Sequence, residues 1–108
     1  MNNRILGLLG LCTKAGKIQS GQFLCMKAME GGKARLLIMA TDITYRTRKT
    51  LVDQAKYRGV PVFEAGLDQE DLGHAIGQSP RCAVCVTDEH FASLLQPELS
   101  ENHSSNQN

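Results

Sequence analysis

The stretch from Ser20 to Asp42 constrains the fold more than any other part of the chain. A helical run ends at Gly31-Gly32, and glycine readily takes the left-handed conformation that closes a helix. Leu36–Ala40 is then an uninterrupted apolar run, which is typical of a strand covered on both faces. This stretch therefore predicts a helix, a glycine cap and a buried central strand that ends at Asp42.

The other elements alternate around this unit. Helices are predicted at Asn3–Lys14, from Ser20 or Gly21 to Glu30, at Tyr45–Arg58 after a Thr44 cap, from Asp68 to Gly77 and from Asp88 to Pro97. Short strands are predicted at Lys17–Gln19, Leu36–Ala40, Val60–Phe63 and Cys82–Val86. The alternation predicts an α/β fold, a three-layer α/β/α sandwich with a small four-stranded mixed sheet. Pro61 favours an edge position for its strand.

A chain of 108 residues fits one domain with a single core. We expect this domain to span residues 1–97. Pro97 should end the last helix, and residues 98–108 are predicted to be a disordered polar tail.

The net charge of +1 hides a strong division along the chain. Residues 1–60 carry eleven Lys/Arg and three Asp/Glu, whereas residues 61–108 carry one Arg and eight acids. Such a division predicts one face that attracts anions and another that repels them. The alternative is a chance distribution with an acidic helix near the end.

The four cysteines lie among apolar residues, as reduced, buried thiols do. In a strand, Cys82 and Cys85 would point to opposite faces, which suits neither a disulfide nor a shared metal. No metal or cofactor is predicted. The N-terminal apolar residues follow a helical stripe, and no segment approaches the length of a membrane span. We therefore expect a soluble, cytoplasmic protein.

Catalytic patterns are sparse. The histidines at 74, 90 and 103 have no nucleophile beside them and are predicted to be surface residues. Asp42 ends a strand, where α/β enzymes place acids, but it could equally bond backbone amides at the start of the third helix. No catalytic residue and no small-molecule substrate are predicted.

A binding surface is the pattern that does converge. The second and third helices each follow a strand, so their N-termini can lie at one end of the sheet, with amides suited to phosphates. We expect that end to be surrounded by four cations, Lys17, Lys27, Arg46 and Lys49. Gln22 offers an amide for base edges, and Phe23 offers a ring for stacking.

Two alternatives stay open at this surface. Phe23 could be covered by the first helix or be an ordinary exposed residue, rather than a ligand-binding one. The cations of the third helix could form a solvated face in which Lys49 pairs with Asp53.

These residues resemble the landmarks of the kink-turn-binding ribosomal protein family, the L7Ae family, and its small bacterial YlxQ-type members most closely. The resemblance runs from about Arg4 to Leu95. It rests on Ser20-Gly21-Gln22 through Lys27, Ala40-Thr41-Asp42, Gly59-Val60-Pro61-Val62 and Leu72-Gly73-His74-Ala75-Ile76-Gly77.

The resemblance implies an α/β/α sandwich that binds RNA kink-turns, which are sharply bent helices with tandem guanine–adenine pairs. Gly21, Lys27 and Asp42 match the family's helix-entry glycine, RNA-contacting lysine and strand-end aspartate. The loop that meets the flipped-out nucleotide is matched by Gln78, Ser79, Pro80 and Arg81. Better-known members have asparagine, which reads a guanine edge, and glutamate where this chain has Phe23 and Leu24.

The leading hypothesis is a non-catalytic RNA-binding protein that associates with the ribosome. Its expected partners are structured RNA, ribosomal or kink-turn RNA in particular, and ribosomal proteins; no membrane is expected. A second hypothesis is a protein-interaction module that uses the acidic C-terminal half and Phe23. The third is a small enzyme that uses Asp42 or a cysteine.

Overall fold

Five helices and four strands alternate along the described part of the chain. The computed structural model describes residues 3–105, with side chains described for residues 3–100. The helices are α1 (Asn3–Lys14), α2 (Gln22–Glu30), α3 (Tyr45–Arg58), α4 (Gln69–Ala75) and α5 (Glu89–Ser105). The strands are β1 (Ile18–Ser20), β2 (Leu36–Met39), β3 (Val62–Glu64) and β4 (Ala83–Val86). The α/β class predicted from the sequence is confirmed.

The four strands form one mixed sheet in the order β1-β4-β2-β3. β4 is antiparallel to both β1 and β2, whereas β2 and β3 are parallel. β3, which follows Pro61, is an edge strand, as the proline predicts. The central strands β2 and β4 are buried along their whole length, because helices cover both faces of the sheet.

The alternation of side chains along the central strands divides the core into two clusters. Leu36, Ile38 and Val84 pack with α1, α4 and α5 on one face of the sheet. Leu37, Met39 and Cys85 pack with α2 and α3 on the other face. The protein is therefore a three-layer α/β/α sandwich, with two helices in one outer layer and three in the other.

The last helix differs from its predicted length. Asp88 begins it as predicted, since its Oδ2 accepts a hydrogen bond from Phe91 N at 2.9 Å. The prediction that Pro97 ends the helix is wrong, because α5 continues through Pro97 to Ser105. Leu99 is fully buried against the core beyond the proline. Its burial contributes about 2 kcal/mol, which offsets much of the roughly 3 kcal/mol that an interior proline costs.

This change also affects the predicted tail. Residues 98–105 are helical rather than disordered, and Arg4 forms an ion pair with Glu98 at 3.1 Å. Residues 106–108 of the predicted tail lie outside the described residues. The domain boundary at residue 97 stays a prediction.

The cysteines are free and mostly buried, as expected for structural thiols. The predicted opposition of Cys82 and Cys85 is wrong, since both side chains pack against the cluster under α2 and α3. Cys82 precedes β4, so the strict alternation of a strand does not apply to it. None of the helices in the described part of the chain is long and apolar enough to cross a membrane.

Candidate nucleic-acid interface

Three chain segments meet at one end of the sheet because of the strand directions. β1 and β2 run in the same direction, and β4 between them runs in the opposite one. The ends of β1 and β2 therefore lie beside the start of β4. Two backbone hydrogen bonds join them there, from Gly21 N to Ala83 O and from Ala40 N to Cys82 O, each 2.9 Å long.

The first segment is the entry to α2. Gly21 is the N-cap residue and has a φ of 89°, a conformation that a side chain would strain. No side chain caps this helix end. The positive end of the helix dipole at Gln22 and Phe23 thus lies without a carboxylate or hydroxyl cap, which suits an anionic ligand.

Phe23 and Lys27 form an exposed pair on the outer face of α2. Phe23 is 72% exposed, so the alternative in which α1 covers it is wrong. The Lys27 Nζ lies 5.6 Å from the centre of the Phe23 ring, within cation–π range. A nucleotide that stacks on this ring would bring its phosphate near the ammonium group.

Lys27 also lines a groove of about 450 Å³ that runs beside the edge strand β1 as far as Thr87, at the end of the sheet opposite to the entry of α2. Other residues of this groove are Gln19, Leu24 and Lys33. Neither Gln19 nor Lys33 is among the site residues predicted from the sequence. Lys33 follows α2, and Gln19 lies on an edge strand. That both line one groove is a consequence of the sheet topology, which the local sequence pattern does not contain.

The second segment is the end of β2, where Asp42 is tied to α4. Its Oδ1 accepts a hydrogen bond from Gln69 N at 2.9 Å, and its carbonyl oxygen accepts one from Gln69 Nε2 at 3.2 Å. The alternative that Asp42 bonds amides at the start of α3 is therefore wrong. Thr44 caps that helix instead, since it accepts from Thr47 N at 3.2 Å.

The third segment is the loop from Gln78 to Arg81, which rests on α4. Gln78 N donates to Gly73 O at 2.8 Å. A Cβ at Gly73 would overlap the Ser79 carbonyl oxygen and lie 2.9 Å from the Pro80 Cα. The glycine in the middle of the Leu72–Gly77 motif is thus required by the close approach of this loop.

Arg81 fastens the loop to the end of β1. Its Nε donates to Ser20 Oγ at 3.0 Å, and its guanidinium nitrogens donate to Gln78 Oε1 at 3.2 Å and Ser79 Oγ at 2.8 Å. Several of the five hydrogen-bond donors of the guanidinium are therefore engaged within the protein. This contact orders the loop next to the entry of α2.

The predicted ring of four cations is divided by the structure. Lys17 precedes β1 and accepts at its carbonyl oxygen from Thr87 N, 2.9 Å away, at the opposite end of the sheet. The prediction that Lys17 joins the cluster is therefore wrong. Arg46 and Lys49 line a separate concavity of about 360 Å³ on α3, together with Tyr45, Thr50 and Asp53. The predicted ion pair between Lys49 and Asp53 is confirmed, at 3.0 Å.

The thiols have the properties of core groups. Burial raises the pKa of Cys12 to about 11 and that of Cys85 to about 12, and burial also raises the pKa of Cys25. Neutral thiols are poor nucleophiles at physiological pH. His74 and His90 are exposed, as predicted. Among the side chains described, those of residues 3–100, no group of three or more His, Cys, Asp or Glu is arranged to hold a metal ion.

Fold and site together define a small α/β/α protein with an uncapped helix entry, a strand end and a loop at one end of its sheet. The sequence profile of the Ribosomal protein L7Ae/L30e/S12e/Gadd45 family matches residues 3–96, and the chain belongs to that family. The resemblance found in the sequence is therefore confirmed.

Two relatives match this chain in sequence over most of their length. The "RNA-binding protein YlxQ" of Bacillus subtilis is 35% identical over 88 residues, which cover 82% of this chain and 87% of that protein. The "RNA-binding protein YlxQ" of Enterococcus faecium is 31% identical over 98 residues, which cover 91% of this chain and 92% of that protein. The chain is thus of the YlxQ type within its family.

Two solved structures share the fold of this chain. A protein of unknown function from Bacillus halodurans superposes with a TM-score of 0.86 and 30% identity, over 92% of this chain and 99% of that one. The Giardia lamblia 15.5kD RNA binding protein superposes with a TM-score of 0.77 over 93% of this chain and 88% of that one. At 20% identity, the second likeness concerns the fold alone.

Proposed function

We propose that this chain is a non-catalytic RNA-binding protein that recognises a kink-turn or a similarly structured RNA. The contacts are assigned to the start of α2, the end of β2 and the loop before β4. The observation that carries the proposal is the meeting of these three segments at one end of the sheet. The names of the two YlxQ relatives, both RNA-binding proteins, support the ligand class.

Each segment has a separate task in this proposal. Gly21 lets the α2 backbone approach a phosphate, and Gln22 reaches a base edge. Phe23 stacks on a base, while Lys27 meets the adjacent phosphate. Asp42 is assigned to the same surface by the family's pattern.

The loop from Gln78 to Arg81 receives an unpaired nucleotide. Arg81 keeps Ser79 and Pro80 in place through its bonds to Ser20 and Gln78. We assign it a positioning role, because its donors are already engaged by the loop.

Association with the ribosome, in the cytoplasm, is part of the proposal. Its support is the family, which is described as one of ribosomal proteins, and the free state of all four thiols, which fits a reducing compartment. Ribosomal proteins are therefore the expected neighbours of the bound protein.

The first test is an electrophoretic titration with two matched RNAs. One carries a kink-turn, and the other has Watson–Crick pairs in place of the tandem guanine–adenine pairs. We expect the kink-turn RNA to bind at least about tenfold more tightly, which is about 1.4 kcal/mol. Equal affinity for both RNAs would contradict kink-turn recognition, and no binding to either would contradict the function as a whole.

The second test changes the pair on α2. Lys27→Ala should weaken binding by about 1–3 kcal/mol if the lysine reaches a base, and by less if it contacts a phosphate only. Lys14→Ala, on α1, is the matched control and should leave the affinity within about 0.5 kcal/mol of the parent. Phe23→Leu should weaken binding, whereas Phe23→Tyr should retain the affinity of the parent, because only an aromatic ring can stack on a base.

The alternative of a protein-interaction module gives a different result. A protein partner on the exposed Phe23 and Leu24 would be lost with Phe23→Leu while the RNA affinity stayed unchanged. That pattern would move Phe23 out of the RNA surface.

A further inference from the structure

The outer face of α3 carries aromatic and basic side chains that the surface at the end of the sheet does not use. Its exposed members recur at helical spacing and so share one side of the helix, namely Tyr45, Arg46, Lys49, Asp53, Lys56 and Tyr57. The opposite side packs on the sheet through Leu51 and Ala55, both fully buried. Arg48 turns toward β3 and pairs with Glu64. The face is therefore directed away from the core.

Two exposed tyrosines mark this face. Tyr45 is 78% exposed and Tyr57 is 79% exposed. They are twelve positions apart, about 18 Å along the helix axis at 1.5 Å per residue. The chain has only five aromatic residues of the Phe, Tyr and Trp types, and three of them project into solvent from α2 and α3.

Cations lie beside both tyrosines. The Arg58 guanidinium carbon is 5.1 Å from the centre of the Tyr57 ring. Tyr45, Arg46 and Lys49 share the concavity of about 360 Å³. α3 contains five Lys/Arg and a single acid, Asp53, which is paired with Lys49. Positive charge next to exposed rings is the arrangement that holds unpaired nucleotides, since the rings stack on bases and the cations meet phosphates.

We propose that the outer face of α3 is a second RNA-binding surface, which holds a single-stranded segment of RNA. Tyr45 and Tyr57 stack on bases, while Arg46, Lys49 and Lys56 contact the intervening phosphates. This surface is distinct from the three segments at the end of the sheet. An RNA with a structured element and an unpaired flanking strand would engage both, and the gain in affinity would come from their linkage.

The protein contains its own probe for this surface. It has no tryptophan and two tyrosines, both on α3, so its tyrosine fluorescence reports on this face alone. Titration with a short, unstructured oligouridylate should quench this fluorescence to a plateau. N-acetyltyrosinamide, titrated in the same way, measures the loss due to light absorption by the RNA. Saturable quenching beyond that loss is the expected result.

Variants separate stacking from charge. Tyr57→Ala should lower the affinity for the oligouridylate about tenfold, measured by fluorescence anisotropy of a labelled oligonucleotide, whereas Tyr57→Phe should retain it. Lys56→Gln should reduce the slope of log affinity against log salt by about 0.7, the value for one phosphate of a single strand. Leu11→Ala removes another exposed apolar side chain, on α1, and serves as the control.

Absence of saturable oligouridylate binding would overturn the proposal, and so would any of three further results. The first is binding of the oligouridylate without tyrosine quenching, which would place the strand elsewhere. The second is an unchanged affinity for Tyr57→Ala. The third is equal binding of polyglutamate, which would make α3 a site for acidic proteins.

This proposal and the kink-turn proposal fail separately. Kink-turn binding without oligouridylate binding would overturn only the α3 surface. Oligouridylate binding with saturable quenching, and with no preference for the kink-turn over its control, would support the α3 surface and contradict only kink-turn recognition.

Discussion

Both outer layers of the sandwich are apolar where they face the sheet, but their exposed sides differ in charge. α2 and α3 carry six Lys/Arg against two Asp/Glu, whereas α1, α4 and α5 carry two Lys/Arg against five Asp/Glu. We call these the basic layer and the acidic layer. Four of the five large apolar side chains that are exposed in the described part of the chain belong to the basic layer, and Leu11 alone belongs to the acidic one.

This difference explains why the net charge is uninformative. A value of +1 results from two layers whose charges cancel across a sheet. Interactions between exposed charges are screened over about 8–10 Å at physiological salt, so a ligand on one layer is affected mainly by that layer. An RNA on the basic layer would meet a local positive field in spite of the nearly neutral total.

The largest effect is expected in the acidic layer and should concern stability alone. Leu99→Ala empties a fully buried site on α5 and should lower the free energy of unfolding by about 3 kcal/mol. Urea denaturation measures this loss, with the exposed Leu11→Ala as control, expected within about 0.5 kcal/mol. RNA affinity of the folded variant should equal that of the parent. A lower affinity at a temperature where the variant is folded would show that the acidic layer takes part in binding.

Gly73→Ala should produce the next largest effect. The substitution lies in the acidic layer, but it should also alter the proposed RNA interface. The added Cβ overlaps the loop from Ser79 to Pro80, so we expect a loss of about 2–3 kcal/mol in unfolding free energy and a displaced loop. RNA affinity should fall as well, because that loop belongs to the proposed interface. The control is Gly10→Ala in α1, which meets nothing within 4 Å and should stabilise the protein by about 0.5–1 kcal/mol. Full affinity in Gly73→Ala would remove the loop from the interface.

A smaller effect is expected when one lysine of the basic layer is compared with one lysine of the acidic layer. Lys33→Gln, in the groove that Lys27 lines, should weaken RNA binding by about 1 kcal/mol and reduce the salt slope by about 0.9 for a duplex phosphate. Lys14→Gln, at the end of α1, removes the same charge from the acidic layer. It should change neither quantity. Equal losses in the two variants would mean that total charge, rather than its layer, governs binding.

The smallest effect concerns Cys12, a buried thiol of the acidic layer. Burial raises the pKa of Cys12 from 9.0 to about 11, so the folded state keeps the thiol proton more tightly than the unfolded chain. This stabilisation is complete below pH 9 and is lost as the pH rises toward 11. Cys12→Ala should therefore have a flatter decline of unfolding free energy between pH 9 and 11 than the parent. Identical slopes would contradict the raised pKa.

Much of the fold follows from local sequence signals. Apolar runs at Leu36–Met39 and Ala83–Val86, together with the caps Thr44 and Gly59, are sufficient to define central strands and α3. Such signals act over a few neighbouring residues and can therefore be read from the sequence pattern. The end of α5 was missed because burial of Leu99, a tertiary effect, outweighs the local cost of Pro97.

The candidate site was predicted in part for the same reason. Phe23 and Lys27 lie one turn apart on α2, so helical geometry alone brings them together. Lys17 was misplaced because its position depends on which end of β1 faces the interface. The bond of Asp42 to Gln69 joins residues 27 positions apart, and no local pattern encodes it. The spacing along α3 is enough to predict that Tyr45 and Tyr57 share a face of that helix with Lys49.

The place of β4 in the sheet has a consequence for how the protein is made. Among the strands of residues 3–105, β4 is the last to be synthesised, yet it lies between β1 and β2 and pairs with both. A nascent chain without residues 83–86 has no partner for β1 and no bond that holds Gly21 against Ala83. The basic residues of α2 and α3 are thus synthesised before β4, and in the unfinished chain the proposed RNA-binding surface lacks the bond that holds the entry of α2.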